Sequence, residues 1–177
     1  MAGTGRAPAS TPGLALRPLR AADLPVVLAI QRAAYGDGYQ ESAAVLGRKL
    51  ALAPQACWMA HRGDDALGYV FAHPWDAAGA PPLHVALAAL PAGADRGFVH
   101  DLAVSPAARG LGVAAALFGR VRDWSRAAGH VGMRLVALGD AVPFWTRLGF
   151  SALPSDLPAA YGDGACLMER VLLERQD

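Results

Sequence analysis

From Val113 the apolar residues Val113, Leu117, Val121, Trp124 and Ala128 recur every three to four positions, with Arg120, Arg122, Asp123 and Arg126 off that stripe. This spacing predicts an amphipathic helix that stops at Gly129. Upstream, LALRPLR reads as a first strand, and a helix runs from a cap at Asp23 through LPVVLAIQRAAY to Gly36, with Pro25 in its first turn. In ESAAVLGRKLAL the apolar positions Ala44, Val45, Leu46 and Leu50 predict a second helix that closes before Pro54. CWMAHRGDDALGYVFAHPW gives two strands about an Arg-Gly-Asp-Asp turn. The Ala/Pro/Gly-rich stretch from Asp76 to Arg96 offers a short strand at LHVAL. FVHDLAV is an apolar strand closed by Ser105-Pro106; MRLVAL is the next strand, DAVPFWTRLGF a short helix and turn, and GACLMERVL a final strand. Hairpin and crossover connections together predict an α+β class with a mixed sheet in one domain from Leu14 onward.

Composition narrows this picture. The chain has 177 residues, 54% of them hydrophobic and 18% charged, which suits one folded domain. The opening MAGTGRAPASTPG, residues 1–13, has no apolar run and is expected to be a disordered tail. Formal charge is +1, with both signs interspersed, so binding to nucleic acid or an anionic membrane is disfavoured. No signal-peptide core and no run near the ~20 apolar residues of a membrane span is seen, and the cytoplasm is the expected location. Cys57 and Cys166 each lie in an apolar run, which favours buried free thiols. His61, His73, His84, His100 and His130 lack ligand spacing, so no metal site is expected.

Chemistry concentrates in SPAARGLGVAAALF, between the FVHDLAV strand and the long helix. A helix N-terminus presents unpaired backbone N–H groups and the positive end of the helix dipole, which together favour a phosphate. Gly110 and Gly112 would let that backbone approach a diphosphate, while Arg109 adds charge. A tight turn before a helix is the plainer reading of two glycines. Residues 110–115 also satisfy G-x-G-x-x-A formally, but Ser105 to Arg109 separates them from the strand, unlike a dinucleotide fingerprint. No G-x-x-x-x-G-K-[ST] occurs, so a P-loop is excluded.

With LAV followed by SPAARGLGVAAALF, the chain resembles the GNAT superfamily of acyl-CoA-dependent N-acetyltransferases. Arg109, Gly112 and Ala114 stand in that family's [Arg/Gln]-x-x-Gly-x-[Gly/Ala] signature, and AVPFWTRLGF matches its downstream aromatic element. The resemblance covers nearly everything after Leu14. It implies a mixed sheet splayed into a V, with acetyl-CoA as co-substrate and no metal. Leu102, Ala103 and Val104 would line the pantetheine arm, with backbone groups of Leu102 and Val104 bonding its amides. The backbone of Arg109, Gly110, Leu111, Gly112, Val113 and Ala114 would hold the pyrophosphate, and Phe144 and Trp145 would flank the cofactor. An amine would attack the thioester directly in a ternary complex, with a backbone N–H near Leu102 steadying the oxyanion.

An amine of pKa ~10 must lose a proton first, at a cost of roughly 4 kcal/mol at neutral pH. His100 and Asp101 on the central strand are the candidate bases, although alternation sends neighbours to opposite faces unless a bulge intervenes, so at most one is expected to face the substrate. A core histidine and a loop-fixing aspartate are the competing readings. Many GNAT enzymes carry a tyrosine acid where Trp145 stands. An indole does not release its proton, which leaves Tyr161 as a substitute acid or a thiolate that departs unaided. The first interhelical connection offers Tyr35, Asp37, Tyr39, Gln40 and Glu41; Tyr35, Tyr39 and Glu41 suit a small-molecule or peptide amine through charge and cation–π contact. A solvated polar loop is the alternative. The resemblance admits a homodimer, which no residue pattern requires. Two further functions remain open: a non-catalytic acyl-CoA-binding or sensing module, and a dinucleotide-binding enzyme.

Overall fold

The computed structural model describes residues 13–172. The tail expected over 1–13 lies, apart from Gly13, outside the described residues. Seven strands form one mixed sheet: β1 (Ala15–Pro18), β2 (Trp58–Arg62), β3 (Asp65–Trp75), β4 (Arg96–Val104), β5 (Gly132–Ala137), β6 (Ser151–Ala152) and β7 (Cys166–Val171). Their order is β1-β2-β3-β4-β5-β7-β6. All pairs are antiparallel except β4 with β5, a parallel pair that needs a crossover connection.

That crossover is the predicted amphipathic helix, α3 (Val113–Ala127). Its apolar stripe buries Val113, Leu117, Phe118 and Val121 against Val70, Ala72, Val99, Met133 and Leu135. On the same face, α4 (Val142–Arg147) contributes Trp145 to an aromatic cluster with Phe118, Phe144 and Phe150. The other face is covered by α1 (Leu24–Tyr35) and α2 (Ala43–Leu52), whose Val27, Ile30, Leu46 and Leu50 pack on Met59, Tyr69, Phe71 and Ala103. Alternation along β3 separates the two cores, with Val70 and Ala72 on one face and Tyr69 and Phe71 on the other.

Local starts and stops follow the sequence with one change of role. Ser42 caps α2 by accepting from the Val45 N–H. Asp23 immediately precedes α1 but does not cap it. Its carboxylate instead accepts from the Arg20 N–H, which tightens a preceding 3-10 turn, and from Arg17 at 2.7 Å. Gly63 and Asp64 join β2 to β3, with Gly63 at φ 55°. Cys57 is buried, Cys166 half-buried, and both are free thiols.

The expected strand at LHVAL is absent. Residues 76–95 instead form an irregular strap, as the Pro and Gly around it would dictate. It is held through its backbone: Arg48 donates to the carbonyls of Leu87 and Ala88, Arg134 to that of Ala77, and the Tyr161 hydroxyl to that of Pro81 at 2.6 Å.

Gly68 on β3 leaves no room for a side chain against β4. A Cβ there would lie 2.7 Å from the Ala103 carbonyl oxygen and 3.1 Å from a Val113 methyl. Gly68→Ala is expected to lower stability by about 1–3 kcal/mol, the usual cost of overpacking, read as an earlier urea midpoint. A midpoint equal to the parent's would show that β3, β4 and the start of α3 are less closely packed.

Candidate functional site

β4 spends nine residues, Arg96 to Val104, against eight of β3, Gly68 to Trp75. Val99 pairs with Ala72 and Asp101 with Phe71, so His100 is the unpaired extra residue of a β-bulge. The bulge resets alternation. Phe98 stacks on His73 on the α1/α2 face, and both His100 and Asp101 also turn to that face, where they meet Glu41 and Tyr35. The expectation that at most one of them faces the site is thereby corrected.

The same place ends the sheet's continuity. β4 pairs with β5 only from Arg96 to Val99, opposite Gly132 to Leu135, and beyond it the strands diverge around a cleft of about 520 Å³. The Ser105 N–H bonds the Leu67 carbonyl of β3. Since backbone groups alternate sides along a strand, Asp101 and Ala103 also point toward β3, and Leu102 and Val104 point into the opening. The cleft connects the two faces of the sheet. Arg109, Ala114, Phe144 and Trp145 line it from the α3 side, and Tyr35, Tyr39, Glu41, His100, Asp101 and Tyr161 from the other. Leu83 of the strap and Asp163 complete that second group.

Gly110 and Gly112 both adopt left-handed φ, 78° and 76°, a conformation that favours glycine. Gly112 is the N-terminal flanking residue of α3, and no side chain caps the helix. The first bond within the helix runs from the Ala116 N–H to the Gly112 carbonyl, so the N–H groups of residues 113–115 have no partner inside the helix. Leu111 sits exposed between the glycines, and the Val113 side chain is turned into the core.

On the α1/α2 face a buried chain of charges meets the cleft. Lys49 is fully buried on α2, and its Nζ lies 3.3 Å from Glu41 Oε2. Glu41 Oε1 is hydrogen-bonded to His100 Nε2. Burial opposes the Glu41 charge, but His100 and Lys49 outweigh it and hold the carboxyl below its ordinary value. The Lys49 ammonium is pushed below its usual range by burial, with Glu41 opposing. With Nε2–H donated to Glu41, His100 Nδ1 is the basic nitrogen of the ring, and it has no partner among the described residues. Neighbouring His73 is kept neutral chiefly by burial, its pKa pushed down to about 3.

Tyrosines expected at the acceptor site do several different things. The Tyr35 hydroxyl lies 2.9 Å from Asp101 Oδ1 and 2.6 Å from the Leu102 carbonyl oxygen, and Tyr69, which sequence reasoning missed, donates to Asp101 Oδ2 at 2.7 Å. Burial above all drives the Tyr35 phenol well above its ordinary pKa. Tyr161 is likewise raised, mainly by burial, and its proton goes to Pro81. Tyr39 remains half-buried at the wall, beside Gly162. Asp37 and Gln40 stay in the loop, where Gln40 bonds the Gly36 carbonyl.

The sequence profile of the Acetyltransferase (GNAT) family matches residues 24–150. Among solved structures, Ard1 from Thermoplasma volcanium superimposes with a TM-score of 0.73 at 18% identity, over 92% of this chain and 99% of that one. Naa50 from Arabidopsis thaliana, in complex with the bisubstrate analogue CoA-Ac-MVNAL, gives 0.69 at 15% identity, over 90% and 99%. The PaiA N-acetyltransferase from Thermoplasma acidophilum, in complex with coenzyme A, gives 0.67 at 13% identity, over 90% and 99%. At these identities the likeness is one of fold. No curated protein sequence matches the chain.

Removing the charge between Lys49 and His100 should be costly. Glu41→Gln strands a buried ammonium and is expected to lower stability at pH 7 by about 3–5 kcal/mol, with most of it recovered in Glu41→Gln/Lys49→Met. Because the folded carboxyl titrates below the unfolded one, its contribution is present above about pH 4.3 and fades as pH falls through the folded value. Urea denaturation of the three proteins checks this; a single variant as stable as the parent would show that Lys49 needs no counter-charge.

Proposed function

Since the chain belongs to the Acetyltransferase (GNAT) family, we propose that it transfers an acetyl group from acetyl-CoA to a primary amine by direct attack in a ternary complex. One observation carries the reading. A single cleft passes through the sheet from a glycine-flanked helix N-terminus to a buried carboxylate–imidazole pair. The relatives of this fold caught with coenzyme A or a CoA-peptide analogue support the same occupant.

The fit to acetyl-CoA rests on donors that the fold leaves unused. N–H groups at the start of α3, the left-handed glycines and Arg109 suit a diphosphate, and the inward backbone of Leu102 and Val104 suits the amides of a pantetheine arm. Acetyl-CoA supplies an acyl group already activated as a thioester. The chain supplies orientation and a proton acceptor. In this reading His100 Nδ1 takes the proton from the attacking amine, while Glu41 fixes the tautomer and Lys49 holds Glu41 in place. The Leu102 N–H faces the opening, where it can steady negative charge on the acyl oxygen.

No protein acid is assigned to the leaving sulfur. Trp145 is enclosed by Phe118, Phe144 and Phe150, and an indole keeps its proton. A thiol of pKa ~8.5 leaves as the anion without assistance. Tyr161 is assigned to holding the strap, since its hydroxyl is engaged by Pro81. Tyr39 and Asp163 stand at the wall as contacts for the acceptor, a small-molecule or peptide amine.

Acetyl-CoA at 100 times its Kd should stabilise the protein by about 2.7 kcal/mol, seen as a melting shift that coenzyme A shares and NADPH does not. With an amine panel read by thiol release, His100→Gln is expected to lower kcat by about 10²- to 10⁴-fold while keeping the acetyl-CoA shift. A shift without turnover on any amine would favour a CoA-binding module; no shift with either CoA form would sink the proposal.

A further inference from the structure

Three hydroxyl or carboxyl groups and one peptide carbonyl meet behind the cleft, and their protons can be counted. The Tyr35 oxygen lies 2.6 Å from the Leu102 carbonyl oxygen and 2.9 Å from Asp101 Oδ1. A carbonyl has no proton to give, and a phenol has one. At 2.6 Å the proton of the shorter contact must come from Tyr35. A proton is then still needed between Tyr35 and Asp101, and Asp101 is the group left to supply it. Its other oxygen, Oδ2, accepts from Tyr69 at 2.7 Å. No lysine, arginine or ring nitrogen is hydrogen-bonded to Asp101 among the described residues.

We infer that Asp101 is a neutral carboxylic acid at pH 7, linked in one directed chain, Tyr69 to Asp101 to Tyr35 to the Leu102 carbonyl, that positions Leu102 in the cleft. The chain is built from three separate elements: Tyr69 on β3, Asp101 on β4 and Tyr35 at the end of α1. Each contact is then a donor facing an acceptor, with none opposed. Burial is also the dominant influence on Asp101, and it raises the carboxyl above its ordinary value. The nearby charges, Glu41, Lys49 and His100, are already engaged with one another.

The chemical consequence rests on the transferase reading. A carboxylate directly preceding Leu102 would oppose negative charge gathering at the Leu102 N–H, whereas a neutral acid does not. The chain also occupies one lone pair of the Leu102 carbonyl, so the peptide that follows Leu102 is held in orientation, directly beside the one that carries the inward N–H. Asp101 is thus a positioning residue, and proton acceptance is left to His100.

The proton can be observed directly. Infrared difference spectra of the full-length protein at pH 7, parent minus Asp101→Asn, should contain the carbonyl stretch of a protonated carboxylic acid, shifted in D2O. A difference containing carboxylate bands instead would overturn the inference. A second readout separates positioning from proton transfer. Asparagine preserves the pattern, since its carbonyl accepts from Tyr69 and its amide donates to Tyr35, whereas Asp101→Leu breaks both links. Turnover of Asp101→Asn should exceed that of Asp101→Leu by about tenfold or more, since each buried group left unpaired costs on the order of 1–3 kcal/mol. Equal loss in both variants, by about 10²-fold or more, would mark the carboxylate itself as the base and overturn the positioning role. The infrared band is read without substrate. Failure to turn over any amine would therefore count against the transferase reading and leave the proton assignment decided by the band.

Discussion

Nine residues of β4 lie where β3 provides eight, and His100 is the one left over. Three features of the molecule depend on that surplus. Alternation resets across it, so that consecutive polar residues, His100 and Asp101, share the α1/α2 face. A bulge bends the strand that carries it and strengthens its twist, and pairing with β5 ends at the adjacent Val99. The opening that follows exposes the Leu102 and Val104 backbone, which in a continuous sheet would be used up in the ladder. A single local irregularity thus makes both the cleft and the polar groups at its end.

The polar groups carry a thermodynamic burden that the packing must support. Lys49 and the side chains of His100 and Glu41 are almost wholly removed from solvent, and taking ions out of water costs several kcal/mol each before pairing. An aliphatic trio would fold at least as well. What the ionic trio provides is orientation: Lys49 on α2, Glu41 just before that helix and His100 on β4 are tied into one rigid unit. The apolar faces of α1 and α2 against Tyr69 and Phe71 supply the burial that offsets it.

Periodicity carried most of the fold. The helical stripes in residues 24–35, 43–52 and 113–127 and the hairpin around Gly63 were legible because each depends on neighbours within a few positions. Gly110 and Gly112 were legible for the same reason, since a left-handed backbone at a helix start is a local demand. The strand predicted at LHVAL failed because its apolar residues have no strand to pair with, and the two-residue β6 is too short to leave a pattern. The bulge could not be read from β4, because it is a mismatch between two strands. Nothing local in the sequence marks Lys49 within its helix or Tyr69 within its strand. Their partners, Glu41 and Asp101, lie 8 and 32 residues away and become neighbours only in the folded chain.

The hydrogen bonds that Arg48, Arg134 and Tyr161 give the strap over residues 76–95 all go to peptide carbonyls: Arg48 to those of Leu87 and Ala88, Arg134 to that of Ala77, and Tyr161 to that of Pro81. Carbonyls are the same whichever amino acid bears them. A side chain such as that of Leu83 at the cleft wall can therefore be exchanged without losing these bonds. Point substitution at such a position can thus retune what enters the cleft while the sheet, the glycine loop and the buried ions stay as they are.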